Sequence, residues 1–190
     1  GLKHPAIARV RDPRPDPEKR HGPYDFYVMD FIDAPNLGVA FKGAPRSDAE
    51  TIAILLAIGE GVAAAHKQRV IHRDLKPSNI LHDPRSGQVF IIDFDTAKDL
   101  GSLTMTRSGE GLASTYYASP EVLTSLNPPP GGAPRPDERA DIFSLAVIGV
   151  FLRTGRNPSH FHMEEVIAGI ECGSGLQRVL TKGCAHSSAH

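Results

Sequence analysis

The sequence predicts an α+β fold, with short strands in its first half and a mainly helical remainder. Three stretches carry that prediction. Ser47-Asp48-Ala49-Glu50 has the Ser-x-x-Glu spacing of a capping box, which opens a helix. Residues 70–95 run from a polar loop through a turn into a β-rich segment, Val89-Phe90-Ile91-Ile92-Asp93. Residues 141–152 are apolar all round, the pattern of a helix buried on every side.

The elements follow in order. Residues 11–23 hold Pro13, Pro15, Pro17 and Pro23 among many charges and read as a solvated loop. Tyr24 to Asp33 is aromatic and β-branched and predicts a strand, followed by the Ala34-Pro35-Asn36 turn. The helix opened at Ser47 continues to about His66. Ile52, Leu55, Leu56, Gly59, Val62, Ala63 and His66 recur with helical period, and Gly59, Gly61 and the alanines imply close packing. His66 reads as a residue of the helix C-terminus rather than as a catalyst. His82-Asp83-Pro84-Arg85-Ser86-Gly87 has turn chemistry, with Gly87 at a positive φ, and closes a hairpin. Thr96 to Ala118 is a long polar loop, and such loops in a compact domain are usually functional or disordered. Asn127 to Arg139 is Pro/Gly-rich and reads as a solvated insertion, and residues 163–185 predict two short helices. No internal repeat is present.

Composition narrows the function classes. The 190 residues suffice for one domain with a core, and 40% hydrophobic with 23% charged residues is ordinary for a globular domain. A net charge of −1 gives no electrostatic case for nucleic acid or an acidic membrane. Cys172 and Cys184 sit in no metal-ligand pattern, so a reduced, cytoplasmic chain is expected. The nine histidines show no zinc spacing. The longest strongly apolar run, Ile142 to Leu152, is too short to span a bilayer, so no membrane segment is expected. The opening Gly1-Leu2-Lys3-His4-Pro5 reads as mid-domain sequence, and a fragment is expected.

The candidate chemistry lies in residues 70–95. Asp74, Lys76 and Asn79 share one short loop, and Asp93 follows the hairpin. Nucleotide phosphate chemistry needs that set. An acid orients a hydroxyl and takes its proton, a lysine offsets phosphoryl charge, and an amide oxygen with a carboxylate holds hard divalent cations.

His72-Arg73-Asp74-Leu75-Lys76-Pro77-Ser78-Asn79 resembles the catalytic loop of protein kinases. Asp93-Phe94-Asp95 resembles their metal-binding motif, and Ser119-Pro120-Glu121 the Ala-Pro-Glu motif that closes the activation segment. Lys76 is the variant typical of serine/threonine kinases. The resemblance spans nearly the whole chain, in the family's order. It implies a protein kinase-like fold, a mainly helical C-lobe with a hinge strand and a catalytic-loop hairpin. Residues 1–32 would be the end of the N-lobe and the hinge, and 33–190 the C-lobe. Leu2 to Val10 resembles the loop and strand after helix αC, punctuated by His4-Pro5.

The resemblance also assigns roles. Asp74 would be the catalytic base or orienting acid. Arg73 would hold the loop or a phosphate, and Lys76 would contact the transferring phosphoryl. Asn79 and Asp93 would ligate Mg²⁺ or Mn²⁺. ATP would lie against Met29 as gatekeeper, the backbone of Asp30 and Ile32, Asn36 near the ribose, and Leu81 and Ile92. Ser102, Thr104, Thr106 and Ser108 would be candidate phosphosites in the activation segment, with Arg73 as receptor. Ser114, Thr115, Tyr116 and Tyr117 would form the wall beside the acceptor residue. His72 and Phe94 would pack the loop, Asp141 would accept its backbone N–H groups, and Glu121 would expect a buried arginine. The partners implied are ATP and a protein carrying Ser or Thr.

The chain departs from the family in two ways. No glycine-rich phosphate loop, Val-Ala-Ile-Lys-type lysine or αC glutamate is found, so the fragment alone is expected to be nearly inactive. Asp95 replaces a glycine, at a cost of about 1 kcal/mol if its backbone is left-handed, and slower exchange between activation states is expected. The arginine partner of Glu121 is expected just past His190, leaving Glu121 without it. The alternatives are a pseudokinase scaffold and a kinase-fold enzyme acting on small molecules. The latter usually lack the Leu-Lys-Pro and Ser-Pro-Glu segments present here.

Overall fold

A hairpin clamped between two earlier segments of chain sets the architecture. The computed structural model describes residues 2–12, 28–94, 115–126, 128–132, 136–158 and 163–185. Strands β1 (Val10–Asp12) and β2 (Val28–Met29) pair antiparallel, Val10 opposite Met29. Arg11 and Asp12 therefore belong to a strand and not to the solvated loop expected from residue 11. Of the strand expected over Tyr24 to Asp33, Val28–Met29 is strand among the described residues. Residues 24–27 lie outside the described residues, and 30–35 run on without regular structure.

Strands β3 (Ile80–His82) and β4 (Val89–Ile91) form the hairpin, with Ile80 opposite Ile91. Gly87 takes φ 72° in the turn between them. One flank of the hairpin is held by the N-terminal segment: Ile91 donates to the Ala6 carbonyl at 2.8 Å, and Ala8 donates to the Ile91 carbonyl at 2.9 Å. The other flank is held by the segment after β2, where His82 donates to the Pro35 carbonyl at 2.9 Å. Helix α1 (Leu37–Phe41) follows, capped by Asn36.

Helix α2 (Asp48–His66) opens on the capping box: Ser47 N–H donates to Glu50 at 2.9 Å, and Glu50 N–H donates to the Ser47 hydroxyl at 3.3 Å. Its buried face is not the stripe read from the sequence. Thr51, Ile54, Ile58, Val62 and Ala65 are buried, whereas Ile52 is 41% and Leu56 62% exposed. The helix is apolar nearly all round, so its period fits two faces. Packing against β4 and the later helix over residues 139–154 decides between them. The outer face, with Leu55 and Gly59, lines an apolar groove of about 1110 Å³ shared with Ile142, Leu176 and Val179. Among the described residues α2 is the helix long and apolar enough to cross a bilayer by length and composition, with a mean hydropathy of 1.4. Its apolar surplus is divided between the core and this groove.

Helix α3 (Pro120–Leu126) precedes helix α4 (Arg139–Thr154), the central element. Along α4 every side chain from Ala146 to Leu152 is buried, while Ile142 is exposed towards the groove. The helix stops at Gly155, φ 65°, where a Cβ would lie 2.8 Å from the Ala44 backbone nitrogen. At this end Arg153 is bound to Asp48 at 3.2 Å and to the Arg46 and Glu171 carbonyls. Helices α5 (Met163–Ala168) and α6 (Ser174–Cys184) complete the described chain, and α6 buries Leu176, Leu180 and Cys184.

The contact of α6 with α4 requires glycine. A Cβ on Gly183 would sit 2.5 Å from the Ala146 Cβ, which cannot swing away, whereas one on Gly175 meets nothing within 4 Å. Gly183→Ala is expected to cost about 1–3 kcal/mol by overpacking, and Gly175→Ala to be neutral or to stabilise by up to about 1 kcal/mol. Urea midpoints of the two variants measure the contrast. Equal midpoints would mean that the helices do not meet at Gly183.

Candidate active site

The loop between α2 and β3 departs from α2 through a left-handed turn. Arg69 has φ 59°, its N–H donates to the His66 carbonyl at 2.8 Å, and Val70 donates to Ala65 at 3.1 Å. The following backbone has no ladder to join, so its N–H groups need another acceptor. Asp141 provides it. His72 N–H donates to one carboxylate oxygen at 2.9 Å, and Arg73 N–H donates to the other at 2.8 Å. Asp141 is fully buried in the first turn of α4, where the helix dipole favours a negative charge. Arg73 adopts φ 66° there.

His72 fastens the loop to the hairpin. With its proton on Nε2 the ring donates to the Ile92 carbonyl at 2.9 Å, and Nδ1 accepts from Asp74 N–H at 3.3 Å. Phe94 packs on the ring at 4.6 Å between centroids. Leu75 anchors the next turn in the core.

Asp74 and Lys76 form an ion pair at 2.8 Å, both side chains about 20% exposed. Asn79 ends a 3₁₀ turn over Pro77–Asn79 and is buried. Its side-chain amide nitrogen donates to the Asp74 carbonyl at 2.9 Å and to the Asp74 carboxylate at 3.2 Å. Across the end of the hairpin, Ile92 N–H donates to the Asn79 carbonyl at 3.0 Å, which sets Asp93 beside Asn79. Asp93 has φ 63° and is half-buried. The structure thus brings Asp74, Lys76, Asn79 and Asp93 together at the base of one hairpin.

This donor set fits a hard divalent cation. The Asn79 nitrogen is committed to Asp74, so its carbonyl oxygen is the atom left for a metal, and both aspartates offer oxygens. Among the described residues no group of three or more His, Cys, Asp or Glu side chains could hold a metal. A two-residue oxygen site suits Mg²⁺, which usually shares its octahedron with water and substrate phosphates.

The nucleotide-side residues lie along β2 and its continuation. Met29 is half-buried opposite Val10. Asp30 N–H donates to the Arg9 carbonyl at 3.0 Å and its side chain is bound to Arg11, so only its carbonyl remains for a ligand. The Ile32 carbonyl accepts from Ala34 at 2.9 Å, and the Ile32 N–H makes no backbone hydrogen bond among the described residues. Asn36 spends its side-chain carbonyl on capping Val39 at 2.9 Å, which leaves the amide nitrogen for any ribose contact. Leu81 and Ile92 are half-buried on the hairpin.

Asp95, Ser102, Thr104, Thr106, Ser108 and Ser114 lie outside the described residues. Thr115 is half-buried. Tyr117 is buried: its hydroxyl donates to Asn157 at 2.8 Å, its carbonyl accepts from Ser144 at 2.7 Å, and burial pushes its phenol above the usual range. Glu121 is half-buried and makes no hydrogen bond or ion pair among the described residues, with Arg139 as its nearby charge. The cost of about 3–5 kcal/mol for breaking a fully buried pair does not apply at that exposure.

His66, the C-terminal residue of α2, also reaches the site. His66 Nε2 lies 2.7 Å from the Asp141 carboxylate, and that hydrogen bond raises the His66 pKa above the usual histidine value. A histidine at the end of the helix that feeds the loop was the available signal.

A family model described as protein kinase domain matches residues 2–182. The chain belongs to the protein kinase domain family. Similar proteins include the serine/threonine-protein kinase PknJ of Mycobacterium tuberculosis, 32% identical over 164 residues, covering 83% of this chain and 25% of PknJ. PknA of the same organism is 30% identical over 158 residues, covering 83% of this chain and 35% of PknA. The chain therefore spans about a quarter to a third of these relatives. Two solved structures of the Mycobacterium tuberculosis PknI kinase domain, a single and a double mutant, share the fold. Their TM-scores are 0.56 and 0.57 at 23% and 22% identity, over 83% of this chain and 53% of theirs. In this kinase domain the loop bearing Asp74 is pinned by a carboxylate far along the sequence. Asp141→Ala leaves two N–H groups and His66 without their acceptor, and a loss of about 3–5 kcal/mol is expected. Urea unfolding measures it, and a loss below about 1 kcal/mol would mean that the loop is held by other contacts.

Proposed function

We propose that this kinase domain transfers the γ-phosphate of ATP to Ser or Thr hydroxyls of a protein substrate in the cytoplasm. The carrying observation is the convergence of Asp74, Lys76, Asn79 and Asp93 at the base of the hairpin, held by the Asn79–Asp74 hydrogen bond and the Ile92–Asn79 ladder bond.

In this reading Asp74 orients the acceptor hydroxyl and takes its proton as the oxygen attacks. The Asn79 amide fixes the Asp74 carboxylate, so its rotamer is set before substrate arrives. Lys76 lies against the same carboxylate and is placed to offset charge on the phosphoryl oxygens. The side-chain amide oxygen of Asn79 and the Asp93 carboxylate would hold Mg²⁺, which would supply neutralisation of charge on the phosphates. The Asp30 carbonyl and the Ile32 N–H face the adenine edge. Residues 1–32 close the smaller lobe and the hinge, and residues 33–190 form the larger lobe. Tyr117, locked between Asn157 and Ser144, supports the wall beside the acceptor residue.

The test is Mg²⁺-dependent transfer from labelled ATP to a protein acceptor by the full-length natural polypeptide. Asp74→Asn is expected to lower kcat about 10²–10⁴-fold with little change in ATP affinity. Asp93→Asn is expected to raise the Mg²⁺ concentration needed for half-maximal rate. Wild-type turnover by Asp74→Asn, or nucleotide binding without transfer by the unmodified protein, would overturn the reading.

A further inference from the structure

We propose that His66 is a positioning residue of the catalytic loop, acting through Asp141, and that it holds the loop most firmly when its imidazole carries both protons. The proposal rests on the reading of Asp74 as the acid of a phosphoryl-transfer site.

His66 ends α2, immediately ahead of the loop. Its Nε2 lies 2.7 Å from Asp141 Oδ2, the same oxygen that takes the His72 N–H at 2.9 Å. The other oxygen takes the Arg73 N–H at 2.8 Å. One buried carboxylate therefore joins the end of α2, the start of α4 and the two residues before Asp74. The second ring nitrogen, Nδ1, lies 4.0 Å from the Glu138 carboxylate, just before α4. The doubly protonated ring thus donates to Asp141 on one side and stands within ion-pair range of Glu138 on the other. The neutral ring still donates to the Asp141 carboxylate, but it loses the Coulombic attraction of a positive charge to Asp141 and Glu138. The His66 and Asp141 side chains are 11% and 1% exposed, so salt screens their pairing little.

Among the described residues, two charged groups face the ring. Asp141 and Glu138 come from α4 and its N-terminal flank. The catalytic loop presents backbone N–H groups to the shared carboxylate, and its own His72 ring is turned to the Ile92 carbonyl. The hydrogen bond to Asp141 raises the His66 pKa, burial opposes it, and the charges of Asp141 and Glu138 add to the rise. A raised folded-state value fixes the sign. The stabilisation is complete below the unfolded histidine value, near 6.5, and is lost as pH rises through the folded value. The loop is therefore tightest in mild acid and loosens as pH rises through the raised folded-state value.

The experiment follows the His66 imidazole by NMR titration in the 190-residue chain, with amide hydrogen exchange of His72 and Arg73 from about pH 6 to about pH 9. The expected midpoint for His66 lies above the ordinary histidine value. The protection factors of the two loop amides are expected to fall about tenfold more across that range than that of Val150 in the middle of α4. His66→Gln keeps a neutral donor, so its loop amides are expected to stay at the alkaline wild-type level at every pH. A His66 midpoint at or below the ordinary value overturns the proposal, as does an unchanged pH profile in His66→Gln. The wild-type titration decides even where the variant fails to fold. None of these measurements uses ATP, so a failure of phosphoryl transfer would count against the proposed function and leave this result standing.

Discussion

Asp141 accepts three hydrogen bonds where water does not reach, and the remainder of the site is arranged around that carboxylate. A buried N–H without an acceptor costs about 1–3 kcal/mol, so the loop after α2 can enter the interior only where an acceptor waits. The acceptor sits on α4, the element with the most complete burial, where Gly149 and Gly183 admit α6 to close contact. The loop is thereby referenced to a helix buried along most of its length. Positioning is most of what a phosphoryl-transfer site must do, and here it begins with a packing decision about a helix that touches no substrate.

The backbone near the site is not relaxed. Arg69, Arg73 and Asp93 all lie in the left-handed region, which costs a non-glycine residue about 1–2 kcal/mol. Each is overdetermined by hydrogen bonds next to it. Arg69 is held by the close of α2, Arg73 by Asp141, and Asp93 by the preceding Ile92–Asn79 bond. Left-handed residues just before Asp74 and at Asp93 change the course of the chain on both sides of the hairpin. The two acids can then stand at one end of it, beside Asn79. Strain of this kind persists only where the surroundings enforce it, and the surroundings here are the catalytic loop itself.

Much of this was readable from residues alone, wherever the determinant was local. The capping box at Ser47 depends on a spacing of three residues, and the hairpin turn on Gly87, so both could be placed without coordinates. The loop, the Ser-Pro-Glu segment and the apolar α4 were recognisable as a set. What a local reading leaves open depends on distant partners. The helical period of α2 runs through Ile52 and Leu56, which are exposed, because an all-apolar helix carries no sign of which side meets the core. His66 ends α2 as its position predicts, and its pairing with Asp141, 75 positions later, has no local signal. Asn36, expected near the ribose, also caps α1 through its side-chain oxygen, three residues before Val39.

The separation between loop and anchor has a consequence for synthesis. Arg73 leaves the ribosome 68 residues before Asp141. At about 5–20 residues per second, the nascent chain spends roughly 3–14 s with α2 complete and the loop lacking its acceptor. Throughout that interval the loop amides are solvated by water and the acids near them are unordered. The reactive geometry is therefore a late product of translation, assembled only once the helix that will hold it has been made.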